Sequence, residues 1–259
     1  MPKSAKANQS VEKTFQIIET MATDKHPMRL QDISLQTGMP ASTVLRLINT
    51  LVIAGYINQS SETLKYSLSL KFLRIGNIAS AQISIRDVVR PYLIELSKRC
   101  QEASCLAIEE HDSMEVVYID VVEGPDNMLR TMQRIGKRAP MHSTGVGKNM
   151  LLNYSPENIS RLILKKGLPA LTPYTIVTQE ALVAELDKVR VQGFAMDNEE
   201  CEIGARCIAA PIRDYTGQVI ASISISGPTS RMTVERVDVH KNVIIEIAKR
   251  ISSELAFPD

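Results

Sequence analysis

A polar face with small hydroxyl groups and a single arginine lies on the segment 41–54, which has helical hydrophobic periodicity. The apolar positions follow the i, i+3, i+4, i+7 spacing of a buried stripe and are Val44, Leu47, Ile48 and Leu51. Ser42, Thr43 and Arg46 therefore lie on the opposite, free face. Arginine can make a bidentate contact to guanine, and short hydroxyl groups reach bases or phosphates without bulk. This face predicts contact with the major groove of DNA.

Two further helices are predicted ahead of this segment. Residues 10–23 have helical spacing with Ser10 as the candidate N-cap, and residues 30–37 form a second helix that Gly38 ends. The inward positions expected in these two helices are Val11, Phe15, Ile18, Ala22, Leu30, Ile33 and Leu35.

A hairpin is predicted after the third helix, with strand-like runs at 56–58 and 65–68 around a polar SSET turn. The order helix, helix, turn, helix, hairpin is typical of a winged helix-turn-helix head. Gln31, near the start of the second helix, is then a candidate phosphate contact. Lys65, beside the wing turn, is a candidate contact to the DNA backbone or minor groove. The alternative is an ordinary three-helix bundle with a solvated polar face.

The charge distribution is consistent with one end of the chain lying on DNA. Residues 1–76 contain nine Lys and Arg residues against five Asp and Glu residues, so this part carries +4. Because the whole chain carries +1, the remainder carries −3. A basic head on an acidic body suits contact with phosphates.

Composition indicates a globular cytoplasmic protein. The chain has 259 residues, 44% of them hydrophobic and 23% charged, which provides for a substantial core. No apolar run is long enough to span a membrane, and the start MPKSAKANQS lacks the apolar region of a secretory signal. Residues 1–9 are expected to be a flexible tail. Four scattered cysteines are too few for a disulfide scaffold and are expected to be reduced.

The hydrophobic period changes near residue 103. Before it, residues 70–84 are expected to form a helical linker, and residues 86–100 a helix that buries Val89, Leu93 and Leu96. After it, two strands flank a turn at His111 and Asp112. Further strands are expected at 128–133, 193–198, 206–213 and 219–226, and further helices at 143–154, 156–166, 179–192 and 234–255. This mixture predicts an α+β domain with a mainly antiparallel sheet.

The loop PMHSTGVGK before the helix at 143–154 is a candidate ligand contact. Backbone N–H groups of Thr144, Gly145, Val146 and Gly147 are expected at a helix start, which suits a carboxylate oxygen, and the glycines would allow close approach. The run lacks the spacing of a phosphate-binding P-loop, so nucleotide binding is not expected.

Four segments together resemble the isocitrate-lyase-regulator (IclR) family of bacterial transcription factors. They are MPASTVLRLINTLVIAGYI, KYSLSLKFLRIG, IGKRAPMHSTGVGKNML and GFAMDNEECEIGARCIAAPIRDYTGQVIASISISGP, in the family's order. The resemblance extends over nearly the whole chain. It implies a winged helix-turn-helix at 10–69, a linker helix at 70–84 used in dimerisation, and an effector-binding domain with a GAF/PAS-like sheet at 85–259.

The same resemblance implies function and assembly. It predicts a sequence-specific regulator, a repressor rather than an activator, that binds a palindromic operator as a homodimer or homotetramer. A small organic acid would modulate operator binding, and no cofactor, metal or catalytic activity is expected.

The resemblance also places Asp197, Cys207, Ser224 and Ser226 in the effector pocket. Ser224 and Ser226 alternate by two along a predicted strand, so both hydroxyl groups face one side. A bound acid would supply their hydrogen-bond partners; the alternative is that they bond neighbouring backbone groups or water. Asp197 would repel a carboxylate, so we expect it to accept a hydroxyl group or hold a donor.

Met128 is predicted at another edge of the pocket, on the strand that also carries Met132. The run LRTMQRIGKR resembles the branch of the family that responds to sugar acids, and Arg130 or Arg134 would pair with a carboxylate if either points inward.

Two other functions are compatible with the residue types. An enzyme acting on a small carboxylic acid could use Cys207 paired with His111 or His142, with Asp197 nearby. A metal sensor would draw on the cysteine and histidine residues Cys100, Cys105, His111, His142 and Cys201, but their spacing is not that of a zinc site.

Overall fold

The computed structural model describes residues 8–24, 26–82, 84–110, 113–124 and 134–257. The chain divides into two compact units, and the boundary between them in the sequence lies between residues 83 and 84. The predicted strand 128–133, the turn at His111 and Asp112, and most of the predicted tail lie outside the described residues. None of the described helices combines the length and apolar character needed to cross a lipid bilayer.

The first unit has the order helix, helix, helix, hairpin, helix, which confirms the winged helix-turn-helix. Its hairpin is antiparallel and pairs Ile57 with Leu68. The elements are α1 (Gln9–Asp24), α2 (Leu30–Thr37), α3 (Ala41–Ile53), β1 (Ile57–Gln59), β2 (Tyr66–Leu68) and α4 (Lys71–Gln82).

The predicted inward face of α1 is wrong. Ile17 and Met21 are the buried residues of this helix, whereas Val11 and Phe15 are 49% and 58% exposed. Of the other predicted inward residues, Ile18 is half-buried and Ala22 is exposed. The apolar residues of α1 surround more than one face, so spacing alone did not determine which face packs on α2 and α3.

Two smaller predictions in this unit are also wrong. Asn8 caps α1 instead of Ser10, because its side-chain oxygen accepts the Ser10 backbone N–H at 3.0 Å and α1 begins at Gln9. Leu35 is 83% exposed, while Ile33 on the same helix is fully buried. The chain reverses after α2 as expected, through Gly38 at φ +68°.

The second unit is built on a six-stranded sheet in the order β5-β4-β3-β8-β7-β6, in which every pair is antiparallel. Its strands are β3 (Ala103–Glu110), β4 (Glu115–Val122), β5 (Arg138–Pro140), β6 (Ala195–Asn198), β7 (Ala205–Arg213) and β8 (Val219–Pro228). Its helices are α5 (Ile85–Cys100), α6 (Gly145–Leu151), α7 (Pro156–Lys166), α8 (Gln179–Gln192) and α9 (Val234–Glu254). The predicted α+β class is confirmed.

Helices cover both faces of this sheet. On one face α5 and α9 pack against Ile223 and Ile225 of β8, and the predicted buried stripe of α5 forms part of this core. On the other face Val146 and Met150 of α6 pack with Ala209 of β7 and with residues of α7 and α8. Alternation along each strand divides the two cores, because successive side chains point to opposite faces.

Several boundaries differ from the sequence prediction. The helix expected at 143–154 is shorter, since α6 spans Gly145–Leu151. The strand expected from Gly193 begins at Ala195, because Gly193 ends α8 in the left-handed conformation at φ +79°. Strand β5 was not predicted, because it has three residues and includes Pro140.

The substitution Gly147→Ala is expected to destabilise the second unit by about 1–3 kcal/mol, the typical cost of overpacking. A Cβ at this position would lie 2.3 Å from the Met141 Cα and 2.6 Å from its carbonyl oxygen, and both are backbone atoms. Thermal unfolding followed by circular dichroism measures the loss.

The matched control is Gly76→Ala in α4, where a Cβ would meet no atom within 4 Å. This change should stabilise its helix by about 0.5–1 kcal/mol, because glycine loses more backbone entropy than alanine. Equal stability of the Gly147→Ala variant and the unmodified chain would contradict the packing argument.

Candidate functional site

The free face of α3 is presented as the sequence predicted. Val44, Leu47, Ile48 and Leu51 are all buried in the core of the first unit. Ser42 and Arg46 are exposed and Thr43 is half-buried. The burial of one stripe therefore leaves the hydroxyl groups and the guanidinium on the solvent side of the helix.

The two candidate contacts outside α3 are also at the surface. Gln31 is exposed in the first turn of α2, and Lys65 is half-buried at the end of the wing turn. The carbonyl oxygen of Lys65 accepts the N–H of Ser60 at 3.0 Å, which closes the turn between β1 and β2. All five predicted DNA-contact residues thus lie on described surfaces of the winged helix-turn-helix.

The start of α4 is anchored to the end of α3. The Lys71 ammonium donates to the carbonyl oxygen of Ala54 at 2.8 Å and lies 4.1 Å from the centre of the Tyr56 ring. The Tyr56 and Phe72 rings are 5.2 Å apart. A cation at a helix C-terminus satisfies a free carbonyl group and interacts favourably with the helix dipole. These contacts connect α3, which carries predicted DNA contacts, to α4, the predicted linker helix.

A cavity of about 440 Å³ lies in the second unit between the start of α6 and the sheet. This volume is in the usual range for small-molecule sites. Seven of the nine predicted effector residues line it, and these are Thr144, Gly145, Val146, Asp197, Cys207, Ser224 and Ser226. Gly147 does not line it, and Met128 lies outside the described residues.

The serine pair faces the cavity from the central strand β8. The Ser224 hydroxyl lies 2.8 Å from the Cys105 thiol of β3, and the Ser226 hydroxyl interacts with the Cys207 thiol of β7. These partners are neighbouring side chains, so the serines are not left without contacts. A hydroxyl group has one donor and two acceptor positions, and one contact with a weakly polar thiol leaves capacity for a ligand.

Asp197 forms a polar part of the cavity wall at the edge of the sheet. It is 4% exposed, and its Oδ1 accepts the backbone N–H groups of Glu200 at 2.8 Å and Cys201 at 3.2 Å. Burial raises the pKa of Asp197 to about 7, because an apolar environment penalises the charged form. Near neutral pH the carboxyl group is therefore protonated in a large share of molecules and can donate a hydrogen bond.

The start of α6 is fixed by the side chain of its capping residue and by close packing against neighbouring backbone and side-chain atoms. Thr144 caps the helix by accepting the Gly147 N–H at 3.2 Å, and donates to the carbonyl oxygen of Pro140 at 2.7 Å. The expectation that Gly147 admits a ligand is wrong, since the space beside it is occupied by the backbone of Met141. Gly145 lines the cavity, but a Cβ there would also lie 3.1 Å from the Ala209 Cβ.

Sequence reasoning missed several residues of the cavity. Tyr118 of β4 and Cys201 contribute a phenol and a thiol, and Lys137 and Arg138 bring positive charge to its lining. Arg138 also forms an ion pair with Glu110 at 3.0 Å. Two sequence features could have identified these residues. They are the alternation of β4, which buries Tyr118, and the basic pair in the segment IGKRAP.

The arrangement of Cys207 and His142 differs from that of a nucleophile and its base. The Nε2 atom of His142 lies 3.1 Å from the carbonyl oxygen of Pro169, and His142 does not line the cavity with Cys207. Burial raises the pKa of the Cys207 thiol well above its usual range, the opposite of what activates a nucleophilic cysteine. Among the described residues, no three His, Cys, Asp or Glu side chains form a group that could hold a metal ion.

The variant Asp197→Asn should change how stability depends on pH. The folded chain binds the Asp197 proton more tightly than the unfolded chain, because the pKa rises from the ordinary 3.8 to about 7. Stability from this proton is present below the ordinary pKa and is lost as the pH rises to about 7. The asparagine substitution keeps an accepting oxygen but has no proton to lose.

Urea unfolding across this pH interval measures the effect. The free energy of unfolding of Asp197→Asn relative to the unmodified chain should increase with pH and level off above about 7. The total change is up to about 4 kcal/mol, at about 1.4 kcal/mol per pKa unit. A difference that does not vary with pH would show that Asp197 titrates as an ordinary aspartate.

Comparisons with known proteins agree with both units. Residues 10–61 match the family model described as the IclR helix-turn-helix domain, and residues 78–253 match that of the bacterial transcriptional regulator IclR C-terminal domain. The HTH-type transcriptional regulator KdgR of Escherichia coli K12 is 35% identical over 250 residues, covering 96% of this chain and 94% of its own. The transcriptional repressor IclR of the same organism is 31% identical over 244 residues, with coverages of 94% and 89%.

A solved structure adds evidence for the fold. The Thermotoga maritima IclR crystal structure aligns with a TM-score of 0.63 and 28% identity, covering 96% of this chain and 99% of that one. The relatives are transcriptional regulators, so the chain is a DNA-binding regulator with an effector-binding domain and not an enzyme. On these matches, the chain belongs to the IclR family of bacterial transcriptional regulators.

Proposed function

We propose that this regulator is a cytoplasmic repressor whose binding to a palindromic operator is controlled by a small organic acid in the cavity of the second unit. The observation that carries the proposal is that seven predicted residues, from one loop and from three strands distant from it in sequence, line one cavity of about 440 Å³. The head would span residues 10–69, the linker 70–84 and the effector domain 85–259. Repression is supported by the IclR relative, whose name describes it as a repressor.

The chemistry of the cavity favours an acid that also carries hydroxyl groups. Ser224 and Ser226 offer hydroxyl groups, and Lys137 and Arg138 offer positive charge to a carboxylate. A protonated Asp197 does not repel a carboxylate and can donate to it, which removes the objection that its charge would raise. The sugar-acid class rests in addition on the resemblance of residues 129–138 to that branch of the family.

Control of DNA binding requires coupling between the two units. An acid that weakens operator binding must itself bind more weakly to the DNA complex, by the same factor. Each dimer would place its two copies of α3 on the two halves of the palindrome, and two dimers would pair into a tetramer. Exposed apolar side chains on α4, including Leu73 at 58% and Ile78 at 56% exposure, support pairing through the linker helix.

The substitution Arg46→Ala should weaken operator binding by about 1–3 kcal/mol and relax specificity at one base position, because a bidentate contact to a base is lost. Lys65→Ala should weaken binding to all sequences and lower the salt dependence by about one counterion. Gel-shift titrations at several salt concentrations, on an operator selected from a random DNA library, measure both changes.

The matched control is Arg161→Ala, which removes an exposed arginine from α7 in the second unit. Its operator affinity should equal that of the unmodified chain. Unchanged binding of the Arg46→Ala variant would remove this residue from the proposed interface.

The substitution Ser226→Ala should weaken effector binding roughly 5- to 150-fold, because a polar group of the ligand would lose its partner, at about 1–3 kcal/mol. Thermal-shift assays with 2-keto-3-deoxygluconate, pyruvate, glyoxylate and an aromatic acid rank the ligand classes. A sugar acid is expected to give the largest shift, and to alter operator binding in the gel-shift assay.

Ser222→Ala is the control on the same strand and face. Ser222 is fully buried outside the cavity, where its hydroxyl donates to the Ala210 carbonyl oxygen and accepts from Asn149. The ligand should raise the melting temperature of the Ser222→Ala variant by the same amount as it raises that of the unmodified chain. Absence of a shift with every sugar acid would count against the sugar-acid branch.

A further inference from the structure

A fully buried lysine lies directly behind the effector cavity. Lys148 is 0% exposed, although it occupies the helix α6 whose first residues line the cavity. Its ammonium donates to the Glu200 carboxylate at 2.6 Å, the Met196 carbonyl oxygen at 2.8 Å and the Glu185 carboxylate at 3.3 Å. Burying an ammonium ion costs several kcal/mol, so a lysine in this position needs such partners.

The segment that receives these bonds is also the segment that carries Asp197. Met196 and Asp197 are adjacent in β6, and Asp197 in turn accepts the backbone N–H groups of Glu200 and Cys201. Lys148 therefore binds this turn immediately before Asp197 and again three residues after it. The chain then continues through Cys201 into residues 202–205, which line the cavity.

The outer side of the same turn is held independently. Thr172 donates to the Glu199 carbonyl oxygen at 2.7 Å, and Thr175 donates to the Glu200 carbonyl oxygen at 2.6 Å. Glu199 has a positive φ of 62°, a conformation that non-glycine residues adopt only when their surroundings impose it. The turn is thus fixed from both sides, and Lys148 supplies a fully buried positive charge among its contacts.

We propose that Lys148 is a positioning residue of the effector site: together with Glu200 it fixes the wall that carries Asp197 and sets the charge balance around that carboxyl group. This inference deepens the proposed function, since it concerns the same cavity. Lys148 acts through Asp197 and the turn, and it does not itself line the cavity.

The charges around Asp197 predict the direction in which its pKa should change when each charge is removed. Burial raises the pKa of Asp197, the negative charge of Glu200 raises it further, and the positive charge of Lys148 lowers it. Among the described residues, the titratable groups that influence Asp197 or are influenced by it are Lys148 of α6, Glu200 and Cys201 of the turn, Cys207 of β7 and Tyr118 of β4. Removing the positive charge of Lys148 should therefore raise the Asp197 pKa, and removing the negative charge of Glu200 should lower it.

The experiment is a carbon-detected NMR titration of the Asp197 carboxyl group in the full-length protein without ligand. Asp197→Asn assigns the signal. Lys148→Met should raise the Asp197 pKa, Glu200→Gln should lower it, and the double variant should give a value between those of the two single variants. A structural role alone would disturb the fold in each variant and would not produce opposite shifts.

Two further comparisons keep the result decisive. If Lys148→Met does not fold alone, the double variant is compared with Glu200→Gln, and adding the methionine must still raise the Asp197 pKa. Glu185→Gln is the matched control, since Glu185 contacts Lys148 from α8 and should change the titration least. Shifts of the same sign in both single variants, or none in either, would overturn the proposal. Because no ligand is used, this outcome is independent of whether an organic acid is the effector.

Discussion

The central strand β8 places isoleucines on one face of the sheet and serines on the other. Ile223 and Ile225 enter the core beneath α5 and α9, whereas Ser224 and Ser226 face the cavity beside α6. Because strand side chains alternate with a period of two, these two roles cannot be separated. A slip of one residue in the pairing of β8 would put hydroxyl groups in the apolar core and close the polar wall.

The second unit keeps several charges away from water, and each has a close partner. Glu102 is 1% exposed and receives two bonds from Arg231, at 2.8 and 2.7 Å. Lys148 and Glu200 form the corresponding pair behind the cavity. Breaking one partner of such a pair leaves an uncompensated buried charge, at a cost of about 3–5 kcal/mol. These pairs therefore help to fix the segments beside the sheet that carry them.

The first unit combines an exposed polar face of α3 with contacts that fix the position of this helix. The apolar stripe of α3 holds the helix in the core, and the contacts of Lys71 and Tyr56 join its C-terminal end to α4. A change in the direction of α4 would consequently shift the C-terminal end of α3. In the proposed function, this local connection would be the part of the coupling between effector and operator that lies within the first unit.

The sequence by itself determined the features that depend on neighbouring residues. The buried stripe of α3, the limits of α7 and α8, and the alternation of Ser224 and Ser226 follow from local spacing, and family segments identified the cavity residues. Only the tertiary structure decided which face of α1 is buried, which backbone atoms exclude a side chain at Gly147, and that Lys148 and Glu200 hold the turn that carries Asp197. The reason is physical: helix and strand periods are local, whereas burial, steric exclusion and the pKa of a carboxyl group depend on atoms that the chain brings together from distant positions.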